Sequence, residues 1–389
     1  MTRLFPLLLI LATSICQAQD SLLTRFIKTN KHSFNPKGET FEGRGWMVID
    51  SAVQASNQVL IGEDHFFNEI PHFISAIATS TTFQNFIVEI DPFTASLLQE
   101  KISKLSTSDF NSFNKQWQES FSFYALKPEM ELMKQMVKKG AKLGGTDQII
   151  LMSDGLIANT LKQKSKNKEA IKRYEQIESQ SARHLKEFLK DQTKPFYLLT
   201  PAFDSTLNKL LTLPLSPNEQ QQLQDLQLSK RIYAEGSHWL RLQLMKNNFY
   251  KYYYPIVTKE KTLYKFGAVH MTKGEGLLGG YDIGNIVYNI ADSRYEKSLH
   301  IMIVGKNGTQ GSPFKGFPAQ QLDPINGELK SLKPFFDEVN KEWVCFDLTK
   351  MHRPLRLGEL KTDDLFLRRI LQGYDYLVVI PEVTAATMD

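Results

Sequence analysis

The chain has 389 residues, of which 42% are hydrophobic and 23% are charged, and these values are ordinary for a globular protein. The formal net charge is +5. No dense block of lysine and arginine with interleaved aromatic residues occurs, and the most basic run, residues 162–173, is typical of a solvated helix face. We therefore expect no nucleic-acid partner.

The first 18 residues have the composition of a secretory signal peptide. Arg3 precedes an apolar stretch from Leu4 to Ile15, and the small residues Cys16 and Ala18 suit cleavage after Ala18. Cys16 could instead carry a lipid anchor, although a lipoprotein signal has a small residue where Ile15 stands. The apolar stretch is too short to cross a bilayer, and no later stretch approaches 18 apolar residues. We expect an exported protein, periplasmic or extracellular, with no integral membrane span.

The only other cysteine, Cys345, lies in the apolar sequence EWVCFDL and is predicted to be a buried, inert thiol. The mature chain should therefore contain no disulfide within one molecule.

Residues 19–45 are predicted to be an irregular lead-in, because the segment FNPKGETFEGRG is rich in turn-forming residues. Residues 46–389 are predicted to form a single α/β domain, in which short apolar strands alternate with helices. This alternation predicts a mostly parallel central sheet with flanking helices. The predicted strands are QVLIG (58–62), NFIVEID (85–91), AKLGGTD (141–147), TLYKFGAVH (262–270), SLHIMIVG (298–305) and DYLVVIPEV (375–383).

A helical insertion is predicted to split this sheet at about residues 151–250. Long polar runs with helical spacing fill this stretch, and only PFYLLT (195–200) has the composition of a buried strand.

Ionisable residues follow the predicted strands at their carboxyl ends, where parallel α/β sheets form their sites. The residues at these ends are Gly62, Glu63, Asp64 and His65; Glu89 and Asp91; Thr146, Asp147 and Gln148; and His270. Two of the ends share the form Gly-x-x-His, in which glycine allows a sharp turn. If the strands are adjacent, these groups converge.

We therefore predict a functional site that contains His65, His270 and Glu89. The alternative for each histidine is a structural hydrogen bond to the backbone at a turn or helix start. Glu69 could orient His65 across an i, i+4 pair, or could be an exposed helix acid. His72 is expected to lie in a first helical turn or groove. The remaining histidines have no strand-end position and are expected to be structural: His32, His184, His238, His300 and His352.

These motifs resemble the superfamily of erythromycin esterases and ChaN, TraB and Tiki-type proteins, whose signature is two Gly-x-x-His motifs with separated glutamates. The nearest match is the erythromycin esterase-like branch. Its first motif is an apolar strand followed by Gly-Glu, a histidine and then a glutamate, which here are Glu63, His65 and Glu69. Its second strand ends in a glutamate, here Glu89.

Later motifs extend the resemblance over roughly residues 40–385. A helix of that branch carries an Arg-Asp pair with a methionine and an asparagine further on. Here the sequence RLQLMKNN supplies Arg241, Met245 and Asn248, with Leu242 at the aspartate position. His270 stands at the second histidine strand end, where the esterases have a second histidine that this chain lacks. The closing sequence DYLVVIPEVTAAT resembles their final strand.

The residues favour a hydrolase in which water attacks directly, because no Gly-x-Ser-x-Gly elbow is present and no serine or cysteine stands out as a nucleophile. His65 would be the general base, oriented by Glu69 or Glu89. Glu63 would share that role or set the pKa of His65. The substrate would be a small molecule or a peptide with an ester, lactone or amide bond.

His270 and Arg241 are expected to stabilise the oxyanion in this hypothesis. Two further alternatives remain open at this point. His65, His270 and Glu89, or Glu63 in place of Glu89, match the two-histidine, one-carboxylate ligand set of a divalent metal, and the Tiki-type branch implies a metallopeptidase. The ChaN-type branch implies haem binding without catalysis, with His65 or His270 as an iron ligand.

Overall fold

The computed structural model describes residues 22–312, 314–327 and 329–388. The chain divides into two compact units. The first unit contains the described residues of 1–82, 261–311 and 319–385, and the second those of 83–260, 312–318 and 386–389. One α/β domain over residues 46–389 stays a prediction. The predicted signal peptide and Cys16 lie outside the described residues.

The strands, in chain order, are β1 (Lys31–Lys37), β2 (Thr40–Glu42), β3 (Gln58–Glu63), β4 (Asn85–Val88), β5 (Lys142–Gly145), β6 (Thr262–Gly267), β7 (Ser298–Gln310), β8 (Gln320–Gln321), β9 (Trp343–Asp347) and β10 (Tyr376–Val383). The helices are α1 (22–29), α2 (Arg44–Gln54), α3 (Glu69–Ser80), α4 (Pro92–Lys104), α5 (Thr107–Trp117), α6 (Lys127–Lys138), α7 (Asp154–Lys164), α8 (Lys168–Lys190), α9 (Pro201–Leu211), α10 (Pro217–Glu235), α11 (His238–Asn248), α12 (Tyr254–Val257), α13 (Ile283–Ser293), α14 (Lys333–Phe336), α15 (Thr349–Arg356) and α16 (Leu365–Gly373).

The sheet of the first unit has the strand order β2, β1, β9, β10, β7, β3, β6. Its four central strands, β10, β7, β3 and β6, are parallel, whereas β1 and β9 add an antiparallel edge and β8 pairs with the end of β7. Every residue of β3 and of β6 is buried. Such continuous burial is typical of parallel strands, because both faces of the sheet are covered.

In the second unit, β4 and β5 form a parallel pair, and most of the remaining residues are helical. Sequence signals explain where several of these helices begin. Asp91 accepts hydrogen bonds from the backbone N–H groups of Phe93 and Thr94 at the start of α4, where Pro92 is the first helical residue. Ser216 and Glu219 form a capping box at the start of α10.

The predicted fold class is confirmed, since the protein is α/β with parallel central strands, flanking helices and a helix-rich stretch between β5 and β6. All six predicted strands are present. The prediction of a possible strand at PFYLLT is wrong, because residues Tyr197–Leu199 form a short 3-10 helix. The buried strand β9, which contains Cys345, was not predicted as a strand. Cys345 is buried as expected, and burial raises the pKa of its thiol.

The irregular lead-in expected over residues 19–45 is also wrong for much of its length. It contains helix α1 and the hairpin of β1 and β2. Of the turn-forming residues that suggested irregular structure, Gly38 lies in the hairpin turn with a positive φ of 61°, whereas Asn35 and Pro36 lie within β1. Phe34 and Phe41 on the two strands are buried with Trp343, and this aromatic contact attaches the hairpin to β9.

No helix within the described ranges is both long enough and apolar enough to cross a membrane.

The register of β3 and β6 fixes the position of both Gly-x-x-His motifs. Glu63 lies opposite Gly267, so the two turns leave the sheet side by side. Gly62 is required here, because a Cβ atom at this position would overlap the Tyr374 hydroxyl and approach Cα of Ala268. The Tyr374 hydroxyl donates a hydrogen bond to the carbonyl oxygen of Ala268, which lies within the second motif.

Replacing Gly62 with alanine should lower the free energy of unfolding by about 1–3 kcal/mol, because the added methyl group overpacks this contact. Tyr374→Phe should cost about 0.5–1.5 kcal/mol, since the buried carbonyl of Ala268 loses one of its two donors and keeps the backbone N–H of Met271. The loss of unfolding free energy in the double variant should be smaller than the sum of the two single losses, because phenylalanine leaves room for the methyl group. Urea unfolding of the four proteins measures this coupling, and strictly additive losses would contradict the contact.

Candidate functional site

The first Gly-x-x-His motif places a carboxylate against its own histidine. Glu63 is the last residue of β3, and its side chain is 1% exposed. His65 follows two residues later, 23% exposed, with Nδ1 2.6 Å from Oε1 of Glu63. An ionised carboxylate fixes the imidazole tautomer that carries its proton on Nδ1, so the basic lone pair is on Nε2.

A lysine buried in the adjacent strand contacts the same carboxylate oxygen. Lys265 of β6 is fully buried, and its Nζ lies 2.6 Å from Oε1 of Glu63. Burial on its own would raise the pKa of Glu63, but the charge of Lys265 and the contact with His65 outweigh it and lower this pKa. Glu63 is therefore ionised, and its other oxygen, Oε2, is buried without a hydrogen-bond partner among the described residues.

The second Gly-x-x-His motif repeats this arrangement with a carboxylate from a different element. His270 ends a short 3-10 turn after β6 and is buried. Its Nδ1 is bonded to Oδ2 of Asp282, whose Oδ1 accepts a hydrogen bond of 2.8 Å from the backbone N–H of Ile283. Asp282 thus both orients His270 and caps the N-terminus of α13.

The loop that carries His65 is held in a strained conformation. Phe66 has a φ of 77°, which is uncommon for a bulky residue. Gln310 donates hydrogen bonds from Nε2 to Oδ1 of Asp64 at 3.1 Å and to the carbonyl oxygen of His65 at 3.0 Å. The backbone N–H of Gly311 donates to the carbonyl oxygen of Phe66. Strand β7 therefore positions this loop through its last residues.

Of the two alternatives for Glu69, pairing with His65 is not observed, and Glu63 orients the imidazole instead. Glu69 accepts hydrogen bonds from the backbone N–H and the hydroxyl of Thr384. Because Glu69 is the first residue of α3, His65 precedes the helix and the i, i+4 spacing does not apply. His72, for which no functional role was expected, lies on α3 with its ring 5.2 Å from that of Phe41.

The second unit contains its own cluster at adjacent strand ends. Val88 lies opposite Gly145, so Glu89 and Asp147 follow neighbouring strands. The guanidinium of Arg241 donates to both oxygens of Asp147, at 2.9 and 2.6 Å, and to Oε1 of Glu89 at 2.7 Å. Burial would lower the pKa of Arg241, but the two carboxylates hold it above its usual value.

Helix α11 presents the other residues of the Arg-Met-Asn pattern to the same strand end. Asn248 donates a hydrogen bond of 2.9 Å from Nδ2 to the carbonyl oxygen of Thr146, and Met245 is fully buried. The backbone N–H of Glu89 donates to the Tyr124 hydroxyl at 3.0 Å. This part of the resemblance therefore marks a helix that holds the loop after β5.

Asp91, also a strand-end candidate, caps α4, and burial raises its pKa to about 6.

A cavity of about 420 Å³ opens beside the first histidine motif and is lined by residues of the first unit. Glu63, Asp64 and His65 form part of one wall. Much of the remaining lining is apolar and includes Val269 and Leu277. The volume and the lining are those of a small-molecule site, in which a few polar groups face an apolar surface.

The described residues do not fit the metal hypothesis. A hydrolytic metal needs at least three His, Cys, Asp or Glu side chains around one point, and no such group occurs within the described ranges. The Glu63 carboxylate is instead bonded to the ammonium group of Lys265. The ligand set expected from His65, His270 and Glu89, or Glu63 in place of Glu89, is thus not assembled in the described part of the chain.

Two residues of this arrangement were missed by sequence reasoning. Lys265 stands in the middle of the apolar strand TLYKFG, and this one cation in an otherwise buried run was the available signal. Asp282 lies 12 residues after His270, with no spacing rule that connects the two. Its only signal was its position before the apolar segment IGNIV, which is typical of a helix N-cap.

Comparison with solved structures supports the fold, whereas comparison with family models and curated proteins finds no match. A solved structure of a mutant of erythromycin esterase EreC, in its open conformation, matches with a TM-score of 0.54 and 10% identity, over 92% of this chain and 99% of that chain. A succinoglycan biosynthesis protein matches with a TM-score of 0.55 and 12% identity, over 95% of this chain and 98% of that chain.

At these identities the matches show the fold alone, and at that level they confirm the resemblance to the erythromycin esterases. The haem-binding ChaN of Campylobacter jejuni matches with a TM-score of only 0.32 and 12% identity, over 90% of this chain and 97% of that chain.

Replacing Lys265 with methionine should lower the free energy of unfolding at pH 7 by about 3–5 kcal/mol, because it leaves the Glu63 carboxylate buried without a cation. Adding Glu63→Gln should recover part of this loss. The lowered pKa of Glu63 makes its ionised form stabilising above about pH 4.5, the ordinary glutamate value, and this stabilisation disappears as pH falls through the lowered pKa. Urea unfolding from pH 3 to 7 should show a smaller acid-dependent loss in the double variant than in the wild type, because other carboxyl groups with a lowered pKa, such as Glu219, remain in both.

The matched control is Lys31→Met, which breaks the more exposed ion pair of Lys31 with Glu338, at 2.9 Å. Its cost should stay below about 1 kcal/mol. If Lys265→Met cost no more than Lys31→Met, the buried pair would not be the constraint described above.

Arg241→Met should also lower the free energy of unfolding by about 3–5 kcal/mol, because Glu89 and Asp147 lose their shared cation. Arg231→Met is the control, since Arg231 pairs with Glu235 on an exposed helix face and should contribute about 0.5 kcal/mol or less. Chemical unfolding measures both. Unchanged stability together with lost hydrolysis would contradict this result and would support the oxyanion role predicted for Arg241.

Proposed function

We propose that this chain, which has the fold of an erythromycin esterase, is a hydrolase that activates water at His65. The observation that carries the proposal is the row Lys265–Glu63–His65, in which a buried ion pair orients an imidazole at the wall of a cavity. Ion pairs that only stabilise a fold need no cavity beside them. A histidine held by a carboxylate in a cleft is the arrangement of a general base.

The proposed reaction begins when Nε2 of His65 accepts a proton from a water molecule. The resulting hydroxide adds to the carbonyl carbon of the substrate and gives a tetrahedral oxyanion. Glu63 stabilises the imidazolium cation that forms, because its charge lies 2.6 Å from Nδ1. The oxyanion then collapses, the bond to the leaving oxygen or nitrogen breaks, and Nε2 returns the proton to that atom. The products are a carboxylic acid and an alcohol or amine.

Lys265 is a positioning residue in this scheme, since its ammonium group keeps Glu63 ionised despite burial. His270 has the same carboxylate-bound form as His65, and the role proposed for it is stabilisation of the oxyanion. The substrate would be an ester, a lactone or an amide. The composition of residues 1–18 supports export, so the proposal places the reaction outside the cytoplasm.

His65→Ala should lower kcat/KM for the best substrate of an ester, lactone and amide panel by about 100-fold or more, which is the usual contribution of a general base. The midpoint of thermal unfolding should change little, because His65 is partly exposed. His184→Ala is the matched control, since His184 lies on an exposed helix and bonds to the carbonyl oxygen of Pro195. Initial rates of the mature chain and both variants provide the measurement.

Retained hydrolysis in folded His65→Ala protein would rule out this assignment. A chelator should leave the rate unchanged, whereas loss of activity that zinc or manganese restores would support the metallopeptidase alternative. Titration with haem tests the haem-binding alternative. It would be supported if the chain showed no hydrolytic activity and gave a Soret band that is lost in His65→Ala or His270→Ala.

A further inference from the structure

A second cavity lies at the opposite edge of the sheet from His65. Its volume is about 970 Å³, and its lining includes Ser298 at the start of β7 and Tyr376 at the start of β10. In the register of the sheet, Ser298 lies opposite Gln58 at the amino end of β3, whereas His65 follows the carboxyl end of that strand. The six residues of β3 span about 20 Å. This cavity shares no described lining residue with the cavity beside His65, so the proposed hydrolase site does not account for it.

A smaller cavity of about 350 Å³ adjoins the larger one, because Lys273, Tyr288 and His352 line both. Arg356 of α15 and Gln372 of α16 line the smaller cavity alone. We call the two cavities together the amino-edge cleft, and the three residues that they share its junction.

The junction holds a cationic donor in a fixed position. The ammonium group of Lys273 is bonded to Oδ1 of Asp375, whose Oδ2 accepts a hydrogen bond of 2.9 Å from the backbone N–H of His300. Nζ of Lys273 also lies 5.7 Å from the centre of the Tyr288 ring. An ammonium group has three N–H donors, and the Lys273 side chain is 17% exposed. The donors that Asp375 does not use can therefore bind a ligand oxygen in the cleft.

His352 adds a neutral acceptor to the junction. Its Nε2 lies 3.0 Å from the carbonyl oxygen of Tyr374, which only accepts, so the ring carries its proton on Nε2 and a lone pair on Nδ1. Burial lowers the pKa of His352, and the ring is therefore neutral at pH 7. The walls around the junction are rich in hydroxyl groups, which both donate and accept. The residues that carry them are Ser51, Ser56, Tyr288, Ser298, Thr349 and Tyr376.

The amino-edge cleft also has an excess of cations. Of the three acids in its lining, Asp375 is bonded to Lys273, and Glu296 to Arg294 at 3.2 Å. Asp292 is the remaining acid. The lining cations that form no ion pair with a carboxylate among the described residues are Arg44, Lys297 and Arg356. Three such cations against one carboxylate favour an anionic ligand.

We infer that the amino-edge cleft is a second binding site and that its ligand is an acidic oligosaccharide, a chain of hydroxyl-bearing rings with carboxylate groups spread along it. The cations of the cleft are spread in the same way, since Arg44 and Lys297 line the larger cavity and Arg356 the smaller one. A single phosphate group would need them around one point. The hydroxyl groups of the walls match those of the rings in both donors and acceptors.

The size and the remaining lining of the cleft fit several rings. A volume of about 970 Å³ is at the upper end of small-molecule sites, and the smaller cavity adds to it. Met47, Val48 and Ala52 of α2 supply apolar surface on which the C–H face of a ring can pack. At the junction, Lys273 would donate to a ring carboxylate, and Nδ1 of His352 would accept from a neighbouring hydroxyl group.

Titration calorimetry at pH 7 compares two trisaccharides that differ only at the last carbon of each ring, 4-linked α-trigalacturonate and 4-linked α-galactotriose. The acidic trisaccharide should bind about tenfold or more tightly than the neutral one at about 50 mM salt, because it alone carries carboxylates. Raising the salt to about 500 mM should reduce this difference, because ions screen exposed charges. Equal affinities, or no binding of the acidic trisaccharide, would overturn the inference.

Arg356→Gln and Lys297→Gln should each weaken the binding of trigalacturonate by about three- to tenfold, because each removes a cation from a different part of the cleft. Both side chains are exposed and form no ion pair with a carboxylate among the described residues, so both variants should fold. Arg368→Gln is the matched control, since Arg368 is an exposed arginine of α16 that lines neither cavity. An equal loss of affinity in Arg368→Gln would reflect net charge alone and contradict the site.

Two further titrations identify the site and the ligand class. His65→Ala should bind trigalacturonate as the wild type does, and lost binding would place the saccharide in the other cavity and refute a second site. Inorganic phosphate should compete only weakly, because it reaches the cations of one part of the cleft. Phosphate that bound as tightly as the trisaccharide would rule out the saccharide. None of these results depends on hydrolysis, so the inference and the proposed hydrolase can fail independently.

Discussion

The buried ion pair between Lys265 and Glu63 is the interaction on which the rest of the first unit depends. Both side chains lie in the fully buried centre of a parallel sheet, where an unpaired charge would be very costly. The pair is tolerated because the register of β3 and β6 fixes the two backbones and brings the charged atoms within 2.6 Å. A shift of one residue would turn Lys265 to the opposite face and leave both charges unpaired. The pair therefore specifies the register as well as the orientation of His65.

The histidines of the two Gly-x-x-His motifs are oriented alike, but the groups that orient them differ in origin. Glu63 belongs to a central strand, and its position follows from the sheet. Asp282 belongs to the first turn of α13, and its position follows from helix capping. In both cases the carboxylate that binds Nδ1 also serves the scaffold, as partner of Lys265 or as helix cap. Geometry of this kind is rigid, because the orienting group cannot move without breaking a strand contact or a cap.

The sequence predicted the strands and their ionisable ends well, since apolar runs and the glycines that follow them are local signals. It predicted the strand-end positions of Glu63, His65 and His270 for the same reason. It did not predict their partners, which depend on contacts between distant segments. The expected partner Glu69 came from helical spacing, and that spacing fails because α3 begins at Glu69. The hairpin of β1 and β2 was missed because each strand has a single buried residue, Phe34 or Phe41, and therefore shows no alternating apolar pattern.

The fold by itself does not select a reaction, since an esterase and a polysaccharide biosynthesis protein both match it. The two strand-end clusters show what distinguishes a site from a scaffold. In the second unit the planar guanidinium of Arg241 is bonded to Asp147 and Glu89, and these contacts hold two strand ends and a helix together. In the first unit Oε1 of Glu63 is bonded to both Lys265 and His65, and His65 lies at the wall of a cavity. Because His65 can exchange a proton and lies beside space for a ligand, the charge of Glu63 can assist a reaction there.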